Sequence, residues 1–332
     1  MHNRNSEGLR ISVIIPSHFR PSSLVLVLEG LAHQTLPPEC FEVIVVLDGG
    51  CDESFRMMHE KNWPFQLRAF TQLQSGATTA RNRAIREARG NIIVALDDDV
   101  IPTSTLLQEH AKGHVGGNPT LVIGTFIRST QSPEPVTQLA CDWSHLHPGL
   151  LLQAGRDQNK LASLVADGNL SVPRAELLRI GGWDEAIGGV GGSDDLDLAR
   201  RWLAAGFRLQ PEPRAIGEHY WCKTWSQHLR DQRHIGRAHR YVLQRDPELY
   251  SKLDYARITG RSVAHRFLAG IARYAPEVFF TGFCRIIERS GADLRRSYGG
   301  PIVAMIRLSG VTYYLRGFSE GSIREQAEAK QR

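Results

Sequence analysis

The sequence predicts an α/β fold: a mostly parallel central sheet flanked by helices, followed by a C-terminal helical extension. Three apolar runs point to it, ISVIIP (11–16), EVIVVLD (42–48) and NIIVALD (91–97). All are short and rich in β-branched residues, and they are apolar on both faces, as buried parallel strands are. Helical periodicity separates them, and alternation of this kind demands crossover connections with helices covering the sheet.

Each element has its own signature. SSLVLVLEGLAHQ (22–34) reads as a helix opened by a serine cap. In ATTARNRAIREARG (77–90), Ala80, Ala84, Ile85 and Ala88 fall on one helical face, and Gly90 is the expected stop. LVIGTFI (121–127) is a fourth strand, and residues 128–160, with Pro133, Pro135 and Pro148, form a long irregular stretch. DGNLSVPRAELLRIGGWDE (167–185) gives a strand, a turn at Pro173, a short helix and a glycine stop. A glycine-rich loop at 188–192 then opens a helix with Leu198, Trp202 and Ala205 on one face and an i,i+4 pair of Asp197 with Arg201. Beyond about 225 the chain is helical and basic, and the domain boundary is placed near 235.

At 332 residues and 42% hydrophobic content, the chain is long enough for one large domain with an extension. Its net charge of +5 comes from basic residues gathered toward the C-terminal third, which suits an anionic membrane surface as one possible contact. Five cysteines, Cys40, Cys51, Cys141, Cys222 and Cys284, are odd in number and widely spaced, without a Cys-x-x-Cys pair. Neither a disulfide framework nor a zinc site is expected, and the reading is a reduced, cytoplasmic chain. MHNRNSEGLR at the start lacks the apolar stretch of a secretory signal, and no run reaches the length of a membrane span.

Ligands of a parallel sheet bind beyond the carboxyl ends of its strands, and polar groups accumulate there. Asp97, Asp98 and Asp99 follow the third strand. Neighbouring carboxylates repel one another, so either open solvent or a hard cation such as Mg²⁺ or Mn²⁺ should accompany them, with substrate phosphates completing the shell. Asp48 ends the second strand, where it can cap the Gly49-Gly50 turn or accept a hydrogen bond from a base or ribose. Asp194 and Asp195 precede a helix; one carboxylate is enough for a cap, which leaves Asp195 as a candidate general base. His219 in GEHYW is a candidate further metal ligand, whereas His228, His234 and His239 form no metal motif. The chain has no Walker P-loop, no Gly-x-Gly-x-x-Gly after its first strand and no Gly-x-Ser-x-Gly elbow, which argues against a P-loop ATPase, a dinucleotide dehydrogenase and a serine hydrolase.

Taken together, four segments resemble the family-2 glycosyltransferases with the GT-A fold, over roughly residues 10–235. SVIIPSHFRP is similar to the family's opening strand and loop. VVLDGGCDES is similar to its Val-Val-Asp-Asp-Gly-Ser-x-Asp segment. GATTARNRAIREARGNIIVALDDDVIP matches an Ala-Arg-Asn helix followed by the Asp-x-Asp strand, and GGWDEAIGGVGGSDDLDLARR matches Gly-Gly-x-Asp-Glu followed by Glu-Asp-x-Asp-Leu-x-x-Arg. Three positions depart from the pattern. His18 stands where an aromatic is frequent, Leu47 replaces the first acid of the second motif, and Asp194 replaces a glutamate.

The resemblance implies a catalytic domain over 1–235, with a nucleotide-binding half over about 10–115 and an acceptor-binding half over 116–235, and a basic, mainly helical extension over 236–332. It implies an inverting, metal-dependent transfer from a nucleotide sugar, with a UDP-sugar the expected donor. Pro16, His18, Arg20, Asp48, Arg81, Asp97 and Asp98 would bind the nucleotide sugar; Arg81 and Asp48 would contact the base, and Asp97 or Asp98 the ribose. Asp99 with His219 would hold Mn²⁺ or Mg²⁺, Trp183 and Asp194 would lie at the acceptor or donor sugar, and Asp195 would be the base. The acceptor would be a glycan, a lipid-linked molecule or a small molecule. The segments 278–290 and 301–318 mix aromatic and basic residues and read as helices packed on the catalytic domain, with peripheral contact at the inner face of the membrane as the alternative; no nucleic acid is expected. Two other classes compete: a nucleotidyltransferase acting on sugar phosphates, and a non-catalytic nucleotide or carbohydrate binder in which Asp195 merely caps its helix.

Overall fold

A computed structural model describes residues 11–50, 52–116, 118–133, 148–187, 193–252, 309–318 and 320. They divide into two compact units, one from the described parts of Met1–Gln131, Trp143–Gly188 and Asp194–Tyr220, the other from those of Ser132–Asp142, Gly189–Ser193 and Trp221–Arg332.

The first unit is built on an eight-stranded sheet. In chain order its elements begin β1 (Ile11–Ser17), α1 (Pro21–Ala32), β2 (Phe41–Asp48), α2 (Asp52–Glu60), β3 (Gln66–Gln72), α3 (Ala77–Glu87), β4 (Ile92–Leu96), β5 (Val100–Pro102) and α4 (Leu106–Lys112). They continue with β6 (Thr120–Arg128), α5 (Pro148–Ala154), α6 (Gln158–Ala162), β7 (Asn169–Pro173), α7 (Arg174–Arg179), α8 (Ser193–Ala204) and β8 (Arg208–His219). Strand order is β3-β2-β1-β4-β7-β6-β8-β5. The first four strands are mutually parallel, β7 runs antiparallel to both β4 and β6, and β8 is parallel to β6 but antiparallel to β5. The sheet is therefore mixed beyond β4.

Burial explains the expected strands: every residue of β1, β2 and β4 is buried. On α1, Leu24, Val27, Leu28 and Leu31 recur at helical spacing and pack with Val13, Ile15, Val43 and Val45 in one core. Gly30 lets α1 approach β5, since a Cβ there would lie 2.8 Å from Pro102 Cδ.

Several expectations need correction. The second and third expected strands are separated by α2 and β3 as well as α3; β3, QLRAFTQ, is an edge strand, half-exposed along most of its length, so it lacks the all-apolar signature. The α1 helix begins with Pro21 at its first position and has no side-chain cap; the expected serine cap lies inside its first turn, where Ser23 Oγ donates to Arg20 O at 3.3 Å. The α3 helix ends at Glu87, because Ala88 is already extended (ψ 141°), and Gly90 instead donates its amide to Ser12 Oγ. Leu198 and Trp202 are buried as expected, but Ala205 is exposed beyond the end of α8. The Asp197–Arg201 pair forms at 2.7 Å. The glycine-rich loop at 188–192 lies outside the described residues.

The second unit contains α9 (Trp225–Arg245) and α10 (Pro247–Lys252). A capping box of Thr224 and Gln227 opens α9, and the position expected to bound the domains, 235, falls inside this unbroken helix. A further helix at 309–318 packs against α9 through Gly236 and Gly317, where any side chain would strike opposing backbone. No described helix is long and apolar enough to cross a membrane. The segment 278–290 lies outside the described residues, and of 301–318 only the last turns are described. Neither Cys40 nor Cys222 is in a disulfide.

Asn169 secures the mixed half of the sheet. Fully buried, it donates from Nδ2 to Thr125 O and Ala215 O at 2.8 Å each, beside the register shift between Ile123 and Thr125, and its Oδ1 meets His110 Nε2 at 2.8 Å. Asn169→Ala leaves these groups buried and unpaired, so urea denaturation should show a loss of about 3 kcal/mol.

Candidate active site

Parallel pairing aligns the carboxyl ends of β1 and β2, Ser17 opposite Leu47, and β4 ends beside them. The three aspartates between β4 and β5 diverge from this edge. Asp98 and Asp99 are buried, whereas the Asp97 side chain keeps 39% of its exposure. Ser17 Oγ donates to Asp98 Oδ2 at 2.8 Å, and Arg20 Nη1 bridges Asp98 Oδ1 at 3.0 Å and Asp99 Oδ2 at 2.7 Å. Burial raises Asp98 to about 6 and the Asp99 charge adds to this, against the pull of Arg20 and Ser17. The β5–β8 pairing sets Val100 opposite His219, so His219 Nε2 lies 3.5 Å from Asp99 Oδ1 while Tyr220 N donates to Asp99 O at 2.7 Å.

Pro16 is buried within β1, and His18 is exposed just beyond it, its Nδ1 2.5 Å from Asp48 O. Asp48 is buried, and both its oxygens are engaged. Oδ1 accepts from Gln72 Nε2 at 2.9 Å and Ser75 N at 2.7 Å, and Oδ2 accepts from Gly76 N at 2.8 Å. These bonds hold the turn that leads into α3.

Arg81, on the buried face of α3, lies at the centre of a second group of acids. Its Nη2 donates to Asp97 Oδ1 at 2.7 Å, its Nη1 lies 3.1 Å from Asp167 Oδ2 and 3.6 Å from Asp194 Oδ2, and Asp167 N donates to Asp195 Oδ1 at 2.7 Å. Oxygens of Asp167, Asp194 and Asp195 all lie within 4.8 Å of one another, close enough to share a cation. The Arg81 guanidinium already meets two of the three, Asp167 and Asp194. By contrast, Asp99 and His219 offer one oxygen and one nitrogen donor from two fixed strands, a set suited to a borderline divalent ion that keeps places for water and phosphate.

Trp183 is 1% exposed and lies beneath this group, its ring 5.7 Å from the Arg81 guanidinium. Asn82 holds it there, donating to Trp183 O at 2.8 Å and accepting from Trp183 N at 2.9 Å. Asp194 and Asp195 occupy the first turn of α8, not its cap; Asp194 is buried and Asp195 half-buried. Burial, then the Asp167 charge, lifts Asp194 to about 8; burial, then the Asp194 charge, lifts Asp195 to about 7. Asp167 is likewise driven well above the carboxylate range by burial and by Asp195. Burial works against the Arg81 charge, but Asp167, Asp97, Asp194 and Asp195 together outweigh it and hold the group cationic.

Sequence reasoning missed Asp167. It precedes β7, and residues before a strand lie at the wrong edge if that strand is parallel. Because β7 is antiparallel, with Asn169 opposite Leu96, its beginning meets the end of β4. The Asp-Gly-Asn run was a visible signal, but strand direction was not.

Residues 12–161 match the family model described as Glycosyl transferase family 2. Among curated relatives, the Validoxylamine A glucosyltransferase of Streptomyces hygroscopicus subsp. limoneus is 26% identical over 222 residues, covering 60% of this chain and 49% of that protein. The chain spans about half the length, or less, of the first curated relatives it matches. Among solved structures, the mannosyltransferase PcManGT from Pyrobaculum calidifontis in complex with GDP-Man and Mn²⁺ aligns with a TM-score of 0.59 at 19% identity, covering 93% of this chain and 86% of that one. Staphylococcus aureus TarS 1–349 in complex with UDP-GlcNAc aligns with a TM-score of 0.50 at 14% identity over 96% of this chain and 92% of that one. The fold is GT-A. Over residues 12–161 the chain is similar to the family-2 glycosyltransferases.

The raised acids have a consequence for stability. Between the ordinary carboxylate range and about 8, folded Asp194 and Asp195 hold protons that the unfolded chain has released. Folding stability therefore falls as pH rises through that window and levels off above it. Urea midpoints from pH 5 to 8 should decline, with a shallower slope in Asp194→Asn; a slope unchanged by that substitution would count against the assignment.

Proposed function

We propose that the chain is an inverting glycosyltransferase that moves a sugar from a nucleotide sugar, a UDP-sugar in this reading, to an acceptor hydroxyl with the help of Mn²⁺ or Mg²⁺. The observation that carries the proposal is Asp195. It is a half-buried carboxylate raised to about 7, with one oxygen fixed by the Asp167 amide, and Arg81 and Asp167 connect it to Asp97 beside the aspartate triplet. A base with this affinity for protons is matched to a hydroxyl acceptor near neutral pH. The family match and the nucleotide sugars bound by the two structural neighbours support the donor class.

In the proposed reaction the acceptor oxygen attacks the anomeric carbon while the bond to the diphosphate oxygen breaks. Asp195 Oδ2 takes the acceptor proton as that oxygen attacks, and one displacement inverts the configuration. Asp97, the most open of the triplet, takes the ribose role, with Arg81 holding its other side. Asp99 and His219 would hold the cation, which when bound supplies positive charge against the departing diphosphate. Arg20, bonded to Asp98 and Asp99, keeps both carboxylates oriented at the donor edge.

Asp195→Asn should lower transfer by roughly 1000-fold, while calorimetry with the donor shows nearly unchanged affinity; persistent transfer would remove Asp195 from the role of base. Asp99→Ala should weaken Mn²⁺-dependent nucleotide binding by about 10-fold or more, and an unchanged titration in the presence of Mn²⁺ would exclude its role as a metal ligand.

A further inference from the structure

Among the acids at this edge, Asp167 is the one that belongs to none of the recognised segments, yet it touches two of them. It is 3% exposed, too deep to meet either substrate, so whatever it does passes through its neighbours. Its amide donates to Asp195 Oδ1 at 2.7 Å and its Oδ2 meets Arg81 Nη1 at 3.1 Å, while the other guanidinium nitrogen holds Asp97 at 2.7 Å. The following residue extends the contact: a Cβ on Gly168 would lie 2.6 Å from Asp97 Oδ2, and Gly168 O accepts from Asp97 N at 3.4 Å. The Asp167-Gly168 segment is thus wedged between the carboxylate on the donor side and the one on the acceptor side.

We propose that Asp167 is a positioning residue for the transfer: through its amide it orients Asp195, and through Arg81 it holds Asp97, so that base and donor-side carboxylate sit on one frame. The proposal rests on the reading of Asp195 as the base. Oδ1 is held by the amide and the Asp167 side chain also hydrogen-bonds the Asp195 carboxyl, so the base is fixed from one side; in this reading Oδ2 receives the acceptor proton. The charged groups facing Asp195 are Arg81 from α3, Asp167 before β7 and Asp194 on its own helix, and Asp97 after β4 lies on the far side of Arg81. Removing the Asp167 carboxylate leaves that amide in place but takes away the side-chain hydrogen bond to Asp195, the contact with Arg81 and the charge beside the base. Displacing a catalytic group by a fraction of an ångström affects turnover more than substrate affinity.

The test uses the full chain as Asp167→Ala and Asp167→Asn, with Asp195→Asn in parallel. Release of nucleoside diphosphate from a panel of UDP- and GDP-hexoses with Mn²⁺ gives kcat and the donor KM across pH. Carboxyl-¹³C aspartate labelling gives the Asp195 titration directly, its resonance identified by its loss in Asp195→Asn. In Asp167→Ala, kcat should fall roughly 10- to 100-fold with a nearly unchanged donor KM. The acid limb of the kcat profile and the Asp195 midpoint should both move by about half a pH unit or more. Asp167→Asn, isosteric and still able to form hydrogen bonds, should retain more activity than the alanine variant, and it serves alone if the alanine variant does not fold. An unmoved Asp195 midpoint together with parental kcat overturns the proposal, as does a loss confined to thermal stability. If Asp195→Asn keeps its activity, the base assignment falls by itself, and the ¹³C titration still decides whether Asp167 sets Asp195.

Discussion

One guanidinium organises the acidic edge of this sheet. Arg81 is 4% exposed and meets Asp97, Asp167 and Asp194, with Asp195 held one hydrogen bond away. The acids around this single cation repel one another, and removing the cation from such an assembly typically costs about 3 to 5 kcal/mol. The arrangement persists because the residues come from four rigid places, α3, the end of β4, the start of β7 and the first turn of α8, each fixed by its own packing. Burial first, and the excess of acid over base after it, lifts Asp194 and Asp195 into the range where a carboxylate exchanges protons near neutrality.

The sheet topology supplies the rest. A purely parallel sheet would bring only strand ends to the ligand edge. Here β7 reverses direction beside β4, so a strand beginning, Asp167 and Gly168, arrives against Asp97. The short β5 does something similar at Asp99. By pairing antiparallel with the end of β8, it brings His219 to Asp99 although 120 residues separate them in the chain. Asn169, one residue beyond Gly168, ties β7 to β6 and β8 through two backbone carbonyls. The same short segment therefore serves both the catalytic edge and the sheet's least regular joint.

Two groups of acids coexist a few residues apart because each has its own cation. Arg20 answers Asp98 and Asp99, and Arg81 answers Asp97, Asp167 and Asp194. The repulsion inherent in the run Asp97-Asp98-Asp99 is resolved by sending its members to different partners. Asp48 follows a different course, since both its oxygens are bound by Gln72 and by the amides before α3. It shapes this edge by fixing the loop between β3 and α3.

The buried strands β1, β2 and β4, the apolar faces of α1 and α3, and the aspartates following β4 were legible from composition and periodicity, because burial on both faces leaves an unbroken apolar run in the chain. The edge strand β3 was not, since exposure on both sides erases that run. The i,i+4 pair Asp197–Arg201 was legible because it is local. Asp167, the direction of β7 and the pairing of Asp99 with His219 were decided only by tertiary structure. Strand direction and long-range register depend on how the sheet closes its hydrogen bonds, and no local pattern of residues encodes that. The sequence by itself determined which chemistry stands at the edge. The fold decided which carboxylate meets which cation, and that pairing sets their protonation.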